Sequence, residues 1–272
     1  MHKGGCGHLL FIGGAAGYTG AAILAIRAAL RSGVGLVTAV VPQGIAATVA
    51  GQVPEAMVHG AAETESGALS GEDWPKWHAR LADFTALAAG PGLTCCPQTT
   101  RLAEKILTTC NLPLLLDADA LNVFANRLAA LGQYGGALVI TPHPGEMGRL
   151  LGCSTDKVQA DRFAAAQEAA RCSNAVVALK GAGTLVAETG RPLHINMNGN
   201  PGMATGGTGD VLTGLLGGLL AQQIKPFYAT CAAVFLHGRA GNIAADRNTE
   251  IGLTAGELIH AIPEALRDLS LR

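Results

Sequence analysis

One carboxylate, Asp210, closes the run Asn198-Gly-Asn-Pro-Gly-Met-Ala-Thr-Gly-Gly-Thr-Gly-Asp210, and Val211-Leu-Thr-Gly-Leu-Leu-Gly-Gly-Leu-Leu220 follows it. A segment apolar nearly all round reads as a buried helix. The first turn of such a helix holds N–H groups without intrahelical acceptors, at the positive end of the helix dipole. Gly206, Gly207 and Gly209 keep side chains away from those groups, so the turn can cradle a phosphate. A substrate hydroxyl between Asp210 and a bound phosphate chain could give up its proton to the carboxylate as it attacks phosphorus. The conformational alternative is that Asp210 merely caps a helix behind a glycine-rich turn.

Five further turns follow apolar, strand-like runs, where open parallel sheets gather ligands. Gly13-Gly-Ala-Ala-Gly-Tyr-Thr-Gly20 fits neither a dinucleotide fingerprint nor a Walker A loop, and is a phosphate loop or a glycine-rich helix entry. Gly90-Pro-Gly-Leu93 allows backbone to approach a ligand, or serves packing alone. Asp117-Ala-Asp-Ala-Leu-Asn122 presents oxygens that could hold Mg2+ directly or through water, unless Asp119 simply caps a helix. In Thr141-Pro-His-Pro-Gly-Glu146 two prolines fix the backbone and so aim His143, while Glu146 is a helix-dipole partner or a water-mediated Mg2+ ligand. Lys180-Gly-Ala-Gly-Thr184 suits the phosphates or ribose of a nucleotide; the plainer reading is a hairpin with a solvated lysine.

The elements that must position these turns alternate between strand and helix, the pattern of an α/β domain with a mostly parallel sheet covered on both faces. Strands are expected at 8–12, 36–41, 86–89, 113–116, 137–140 and 175–179, with an antiparallel pair at 184–188 and 193–197. Helices are expected at 18–31, 97–109, 156–172, 207–222, 226–245 and 254–267. No linker, charge block or repeat divides the chain, so residues 1–272 are expected to form one domain.

Composition excludes whole classes of function. A formal net charge of -1 and 4% aromatic residues leave neither a basic footprint nor stacking platforms for nucleic acid. No apolar run is long enough to cross a bilayer, since Arg27 and Arg31 interrupt the longest. Seven cysteines without metal-ligand spacing fit reduced thiols, and a cytoplasmic location is expected. Lys3 followed by Leu9-Leu-Phe-Ile12 is too short for a signal peptide and reads as the first strand.

Together, Lys3-Gly-Gly-Cys-Gly-His8, Gly90-Pro-Gly-Leu93, Asp117-Ala-Asp-Ala-Leu121, Thr141-Pro-His-Pro-Gly-Glu146, Lys180-Gly-Ala-Gly-Thr184 and Asn200-Pro-Gly-Met-Ala-Thr-Gly-Gly-Thr-Gly-Asp210 resemble the ADP-dependent NAD(P)H-hydrate dehydratases. That family belongs to the ribokinase-like superfamily. The resemblance runs in order over nearly the whole chain, and Thr208 stands where the family more often has serine. It implies a ribokinase-like three-layer sandwich and the repair of hydrated NADH and NADPH, by phosphorylation of the ring hydroxyl and elimination of phosphate.

Position by position, the resemblance implies that Ala21, Gly92, His143 and Asp210 contact the hydrated dinucleotide, with Asp210 the catalytic base. It places ADP against Lys180, Gly181, Ala182, Gly183, Thr184 and Gly209, and an anion hole at Gly207, Thr208 and Gly209. ADP is the implied co-substrate and Mg2+ the implied cofactor. A homo-oligomer is implied, a tetramer included, and an NAD(P)H-hydrate epimerase on another chain. Neither ADP against ATP nor NADH hydrate against NADPH hydrate can be read from these turns. A ribokinase-like kinase for a vitamin precursor, or a nucleotide-sensing module without turnover, are the competing readings.

Overall fold

The computed structural model describes residues 3–270, with the side chains of Lys3, Leu269 and Ser270 outside the described atoms. Nine strands form a single sheet: β1 His8–Ile12, β2 Leu36–Pro42, β3 Met57–Ala61, β4 Ala86–Ala89, β5 Leu114–Leu116, β6 Leu138–Ile140, β7 Val176–Leu179, β8 Thr184–Ala187 and β9 His194–Asn196. Their order is β3-β2-β1-β4-β5-β6-β7-β8-β9. The first seven run parallel, and β8 and β9 add the expected antiparallel pair.

Twelve α-helices among the described residues connect and cover the sheet: α1 Thr19–Arg31, α2 Gln43–Gln52, α3 Trp74–His78, α4 Pro97–Thr109, α5 Asp119–Asn122, α6 Leu128–Leu131, α7 Pro144–Leu151, α8 Thr155–Ala160, α9 Arg162–Ser173, α10 Thr208–Ala221, α11 Pro226–Arg247 and α12 Ala255–Ser270. Successive strand side chains point to opposite faces, so a strand buried on both faces must be apolar throughout. Leu9 and Phe11 enter the core beneath α1, α10, α11 and α12, whereas Leu10 and Ile12 enter the core beneath α4, α7 and α9. Two cores on one sheet make a three-layer α/β sandwich.

Helix α10 is the central brace of the first core. Every residue from Val211 to Ala221 is buried, and each buried leucine contributes about 2 kcal/mol of apolar transfer energy. Close packing against α1 requires glycine, because a Cβ on Gly214 would lie 1.9 Å from the Ala25 carbonyl oxygen. The rigid contact fixes where the α10 N-terminus points.

Three local expectations differ from the fold. The helix expected over 156–172 is interrupted at Asp161, whose carboxylate leaves α8 to cap α9 by accepting from the Ala164 amide at 2.9 Å. Asp119 does not cap α5: Ala118 does, with φ of 50°, and the Asp119 carboxylate instead accepts from the Thr94 amide at 2.9 Å. Strand β3 and helices α2, α3 and α6 fall outside the expected elements; Met57-Val-His-Gly-Ala61 of β3 sits at the sheet edge and shows a half-exposed pattern in place of a continuous apolar run.

Candidate active site

Parallel strands bring their carboxyl ends to one edge, and the order reverses where β1 lies between β2 and β4. The Gly13, Gly90, Asp117, Thr141 and Lys180 turns therefore converge there. Gly90 has φ of +139°, and a Cβ on it would lie 1.8 Å from the Asp117 carbonyl oxygen. Only glycine lets the ends of β4 and β5 come this close.

Asp117 is the buried hub of the site, 1% exposed. Its Oδ1 lies 2.7 Å from Lys180 Nζ, and its Oδ2 accepts from the Thr213 hydroxyl at 2.6 Å. One carboxylate thus ties together the ends of β5 and β7 and the second turn of α10. Lys180 is not a solvated hairpin lysine; Nζ also stands 3.6 Å from Glu146 Oε2. Burial alone would lower its pKa, yet Asp117 and Glu146 hold the net shift upward, so the ammonium persists. Ala118, next to the hub, adopts φ of 50° and ψ of -121°, a sparsely populated conformation for a residue with a side chain.

His143 and Glu146 form a reciprocal cap at the start of α7. His143 Nδ1 accepts from the Gly145 and Glu146 amides at 2.9 and 3.3 Å, and Glu146 Oε2 accepts from the His143 amide at 2.7 Å. An acceptor at Nδ1 leaves the proton on Nε2. Burial, then the charges of Lys180 and Arg149, lower the His143 pKa and keep the ring neutral. Burial raises the Glu146 pKa, with Lys180 opposing and Asp117 reinforcing the shift.

Asp210 occupies the third position of α10, behind Gly207 as N-cap, so it does not cap the helix. Burial, reinforced by the negative charge of Asp117 and opposed by Lys180, pushes its pKa up to about 6. Such a carboxylate is ionised at neutral pH yet far more basic than an ordinary aspartate. Among the described residues, no acceptor partners the amides of Gly206 to Asp210, while the Val211 amide begins the helical ladder on the Gly207 carbonyl. The Thr208 hydroxyl is spent inside the turn, donating to the Met203 carbonyl at 2.9 Å. A histidine that the sequence did not single out, His237 of α11, stands 2.8 Å from the Thr208 carbonyl through Nε2; burial lowers its pKa to about 4.

Beside this turn opens a cleft of about 570 Å³. Lys180, Gly181, Ala182, Gly183, Thr184 and Gly209, the residues expected to meet a nucleotide, all line it. Asn196 to Pro201, Met203, His237 and Gly238 complete much of the rest of its lining. A ligand of nucleotide size fits such a volume. A Cβ on Gly209 would lie 3.6 Å from Lys180 Nζ, which puts the glycine turn and the lysine within reach of one anion. Ala21 and Gly92 lie side by side, the Ala21 Cβ being 3.2 Å from where a Gly92 Cβ would stand. Leu24, one turn beyond Ala21, approaches Gly207, so the two halves of the site adjoin.

No group of three or more His, Cys, Asp or Glu side chains among the described residues could hold a metal ion unaided. Glu146 Oε2 is engaged by the His143 amide and Oε1 stands 3.5 Å from His143 Nε2, so a metal-bound water at Oε1 would share that oxygen with the imidazole. That donor set suits a Mg2+ that arrives on nucleotide phosphates and keeps most of its waters, not a cation in a protein cage.

Residues 9–264 match the NAD(P)H-hydrate dehydratase family. A bifunctional NAD(P)H-hydrate repair enzyme of Moorella thermoacetica is 45% identical over 268 residues, which is 98% of this chain and 51% of the relative. Its counterpart in Coxiella burnetii is 40% identical, over 94% of this chain and 50% of its own length. The chain spans about half the length of the curated relatives it matches. Among solved structures, an ADP/ATP-dependent NAD(P)H-hydrate dehydratase from Bacillus subtilis, co-crystallised with ATP and Mg2+, superposes with a TM-score of 0.82 at 30% identity, covering 98% of this chain and 91% of that one. A ribokinase-like superfamily protein of Enterococcus faecalis superposes at 0.84 with 27% identity, over 98% and 89% of the two chains. The sandwich is therefore ribokinase-like, and on the extent of the match the chain belongs to the NAD(P)H-hydrate dehydratase family.

Proposed function

We propose that this chain restores hydrated NADH and NADPH to the dihydronicotinamides by a nucleotide-dependent dehydration. The observation that carries the reading is the placement of Asp210, a basic carboxylate on a turn of free amides beside the cleft lined by the nucleotide residues. Asp210 takes the proton from the ring hydroxyl as its oxygen attacks the terminal phosphorus, and the remaining nucleotide departs with one phosphate fewer. The ring C–O bond then breaks, phosphate leaves with the oxygen, and loss of a proton from the adjacent ring carbon restores the double bond. Hydroxide is a poor leaving group and phosphate a good one, which is why the nucleotide is needed.

Each protein group has one task in this scheme. The amides of Gly207, Thr208 and Gly209 stabilise charge on the phosphoryl group in flight, an effect worth roughly 10²- to 10³-fold. Lys180 neutralises the nucleotide phosphates beside the glycine turn, with Gly181 to Thr184 holding the nucleotide and Gly209 closing on it. Ala21, Gly92 and His143 seat the dinucleotide so that its hydroxyl meets Asp210. Glu146 would hold a Mg2+ through water, and the ion would supply further charge neutralisation at the phosphates.

The finer assignments extend the same reading. ADP is proposed as co-substrate; the Bacillus subtilis relative is described as ADP/ATP-dependent, and ATP presents the same kind of phosphate chain. The curated relatives are called bifunctional, and an epimerase acting on the same hydrates is the proposed functional partner. No described helix is long and apolar enough to cross a membrane, and a cytoplasmic homo-oligomer of dehydratase units is proposed.

Incubation with hydrated NADH, Mg2+ and either ADP or ATP tests the function. The expected result is recovery of dihydronicotinamide absorbance with stoichiometric phosphate release. A stable phosphoester without absorbance recovery would make the chain a kinase instead.

A further inference from the structure

Arg162, the first residue of α9, holds the nucleotide turn from behind. Its Nη1 donates to the Ala182 carbonyl, and its Nη2 donates to the carbonyls of Leu179 and Lys180 at 3.2 and 3.3 Å. The Gly181 carbonyl accepts from the Thr184 hydroxyl at 3.0 Å. Every carbonyl from Leu179 to Ala182 is therefore occupied by a side-chain donor. The amides behave oppositely: among the described residues, those of Gly181, Ala182 and Gly183 have no acceptor. A turn whose acceptors are all engaged on one side and whose donors are all unused is built for an anion.

The guanidinium itself is unusual. It is half-buried, its Nε is buried without a partner, and burial lowers its pKa with no carboxylate countering that shift. Gly181 is held against it, since a Cβ there would lie 3.0 Å from Nη2. A half-buried cation that spends its donors on carbonyls is stabilised when an anion binds the other face of the same peptides.

We propose that Arg162 is a positioning residue that orients the turn after Lys180 so that the amides of Gly181, Ala182 and Gly183 bind the phosphates of a nucleoside diphosphate or triphosphate. This rests on the nucleotide-dependent reading above. Arg162 does not touch the ligand; it sets peptide orientation, and its charge adds attraction through the turn.

The test uses the full chain carrying Arg162→Lys or Arg162→Gln. Steady-state turnover is measured with ADP varied at saturating hydrated NADH, then with hydrated NADH varied at saturating ADP; ADP binding is measured separately by calorimetry. The expected result is a KM for ADP raised about tenfold or more in Arg162→Gln, with the same loss in ADP binding, a smaller loss in Arg162→Lys, and a KM for the hydrate within about twofold of wild type. A KM for ADP unchanged in both variants, or equal rises in both KM values, overturns the role, as does failure of both variants to unfold cooperatively. A wild-type chain that binds neither ADP nor ATP takes down the nucleotide reading itself; wild type that needs ADP while both variants keep its KM takes down only Arg162.

Discussion

Lys180 and Asp117, 63 residues apart in the chain, meet in a buried ion pair of 2.7 Å at the floor of the site. The pair joins the turn that would hold the nucleotide to the strand end that, through Thr213, holds the helix of the proposed base. A change at this joint reaches both ligands at once.

Asp117→Leu is expected to leave the Lys180 ammonium with Glu146 at 3.6 Å and the charge of Asp210 as its remaining counter-charges. Removing one member of a buried pair typically costs about 3–5 kcal/mol. Loss at the lower end is expected here, because Glu146 remains. Denaturant unfolding measures it, and a cost below about 1 kcal/mol would show that the pair is not coupled to folding.

Asp210→Asn is expected to lower kcat by about 10²- to 10⁴-fold while leaving ADP and hydrate binding nearly intact. Single-turnover kinetics beside equilibrium binding separates the two. Wild-type turnover in the variant would remove Asp210 as the base.

The same variant should be more stable than wild type, and only in part of the pH range. Folding raises the Asp210 pKa from its ordinary 3.8 to about 6, so the folded state prefers the protonated acid. No penalty exists below about 3.8; it grows as pH rises and is complete above about 6. A rise from 3.8 to about 6 corresponds to roughly 3 kcal/mol, and solvent access to the carboxylate reduces this to about 1–2 kcal/mol. Thermal unfolding of both proteins across pH checks the sign, which reverses if Asp210 is stabilised as the anion.

Catalysis by an ionised Asp210 requires turnover to fall on the acid side with a midpoint near 6. The residual activity of Asp210→Asn should lack that limb. A limb retained in the variant would assign the titration to another group.

Gly90→Ala places a Cβ 1.8 Å from the Asp117 carbonyl oxygen at a φ of +139°. The β4 and β5 ends must separate, moving Asp117 with them. A loss of roughly 2–4 kcal/mol is expected, with a rise in KM for the nucleotide although Gly90 touches none of it. Unchanged stability would mean that the two strand ends move independently.

The chain's local chemistry already contained much of this. Runs such as Leu9-Leu-Phe-Ile12 and Val176-Val-Ala-Leu179 are apolar at every position because both faces are covered, and that signal needs no distant partner. Glycines and prolines mark the turns because a positive φ or a rigid ring is a property of single residues, so Asp210, His143 and Lys180 stood out from their neighbours alone. Edge strand β3, half-exposed, lacks such a signal, and the cap at Asp161 outweighed a helical pattern that spans it.

Contacts between distant segments carry no local mark. Thr213 reads as one more residue of an apolar helix until β5 brings Asp117 to 2.6 Å, across 96 positions. Nothing in the neighbouring sequence marks Arg162 or His237; folding sets one behind the Lys180 turn and the other beside the Thr208 carbonyl. Propensity and periodicity act over a few residues, so they specify strands, helices and turns. Which carboxylate is buried beside which cation, and hence how basic Asp210 becomes, depends on distances of a few ångströms that arise only when the sheet assembles.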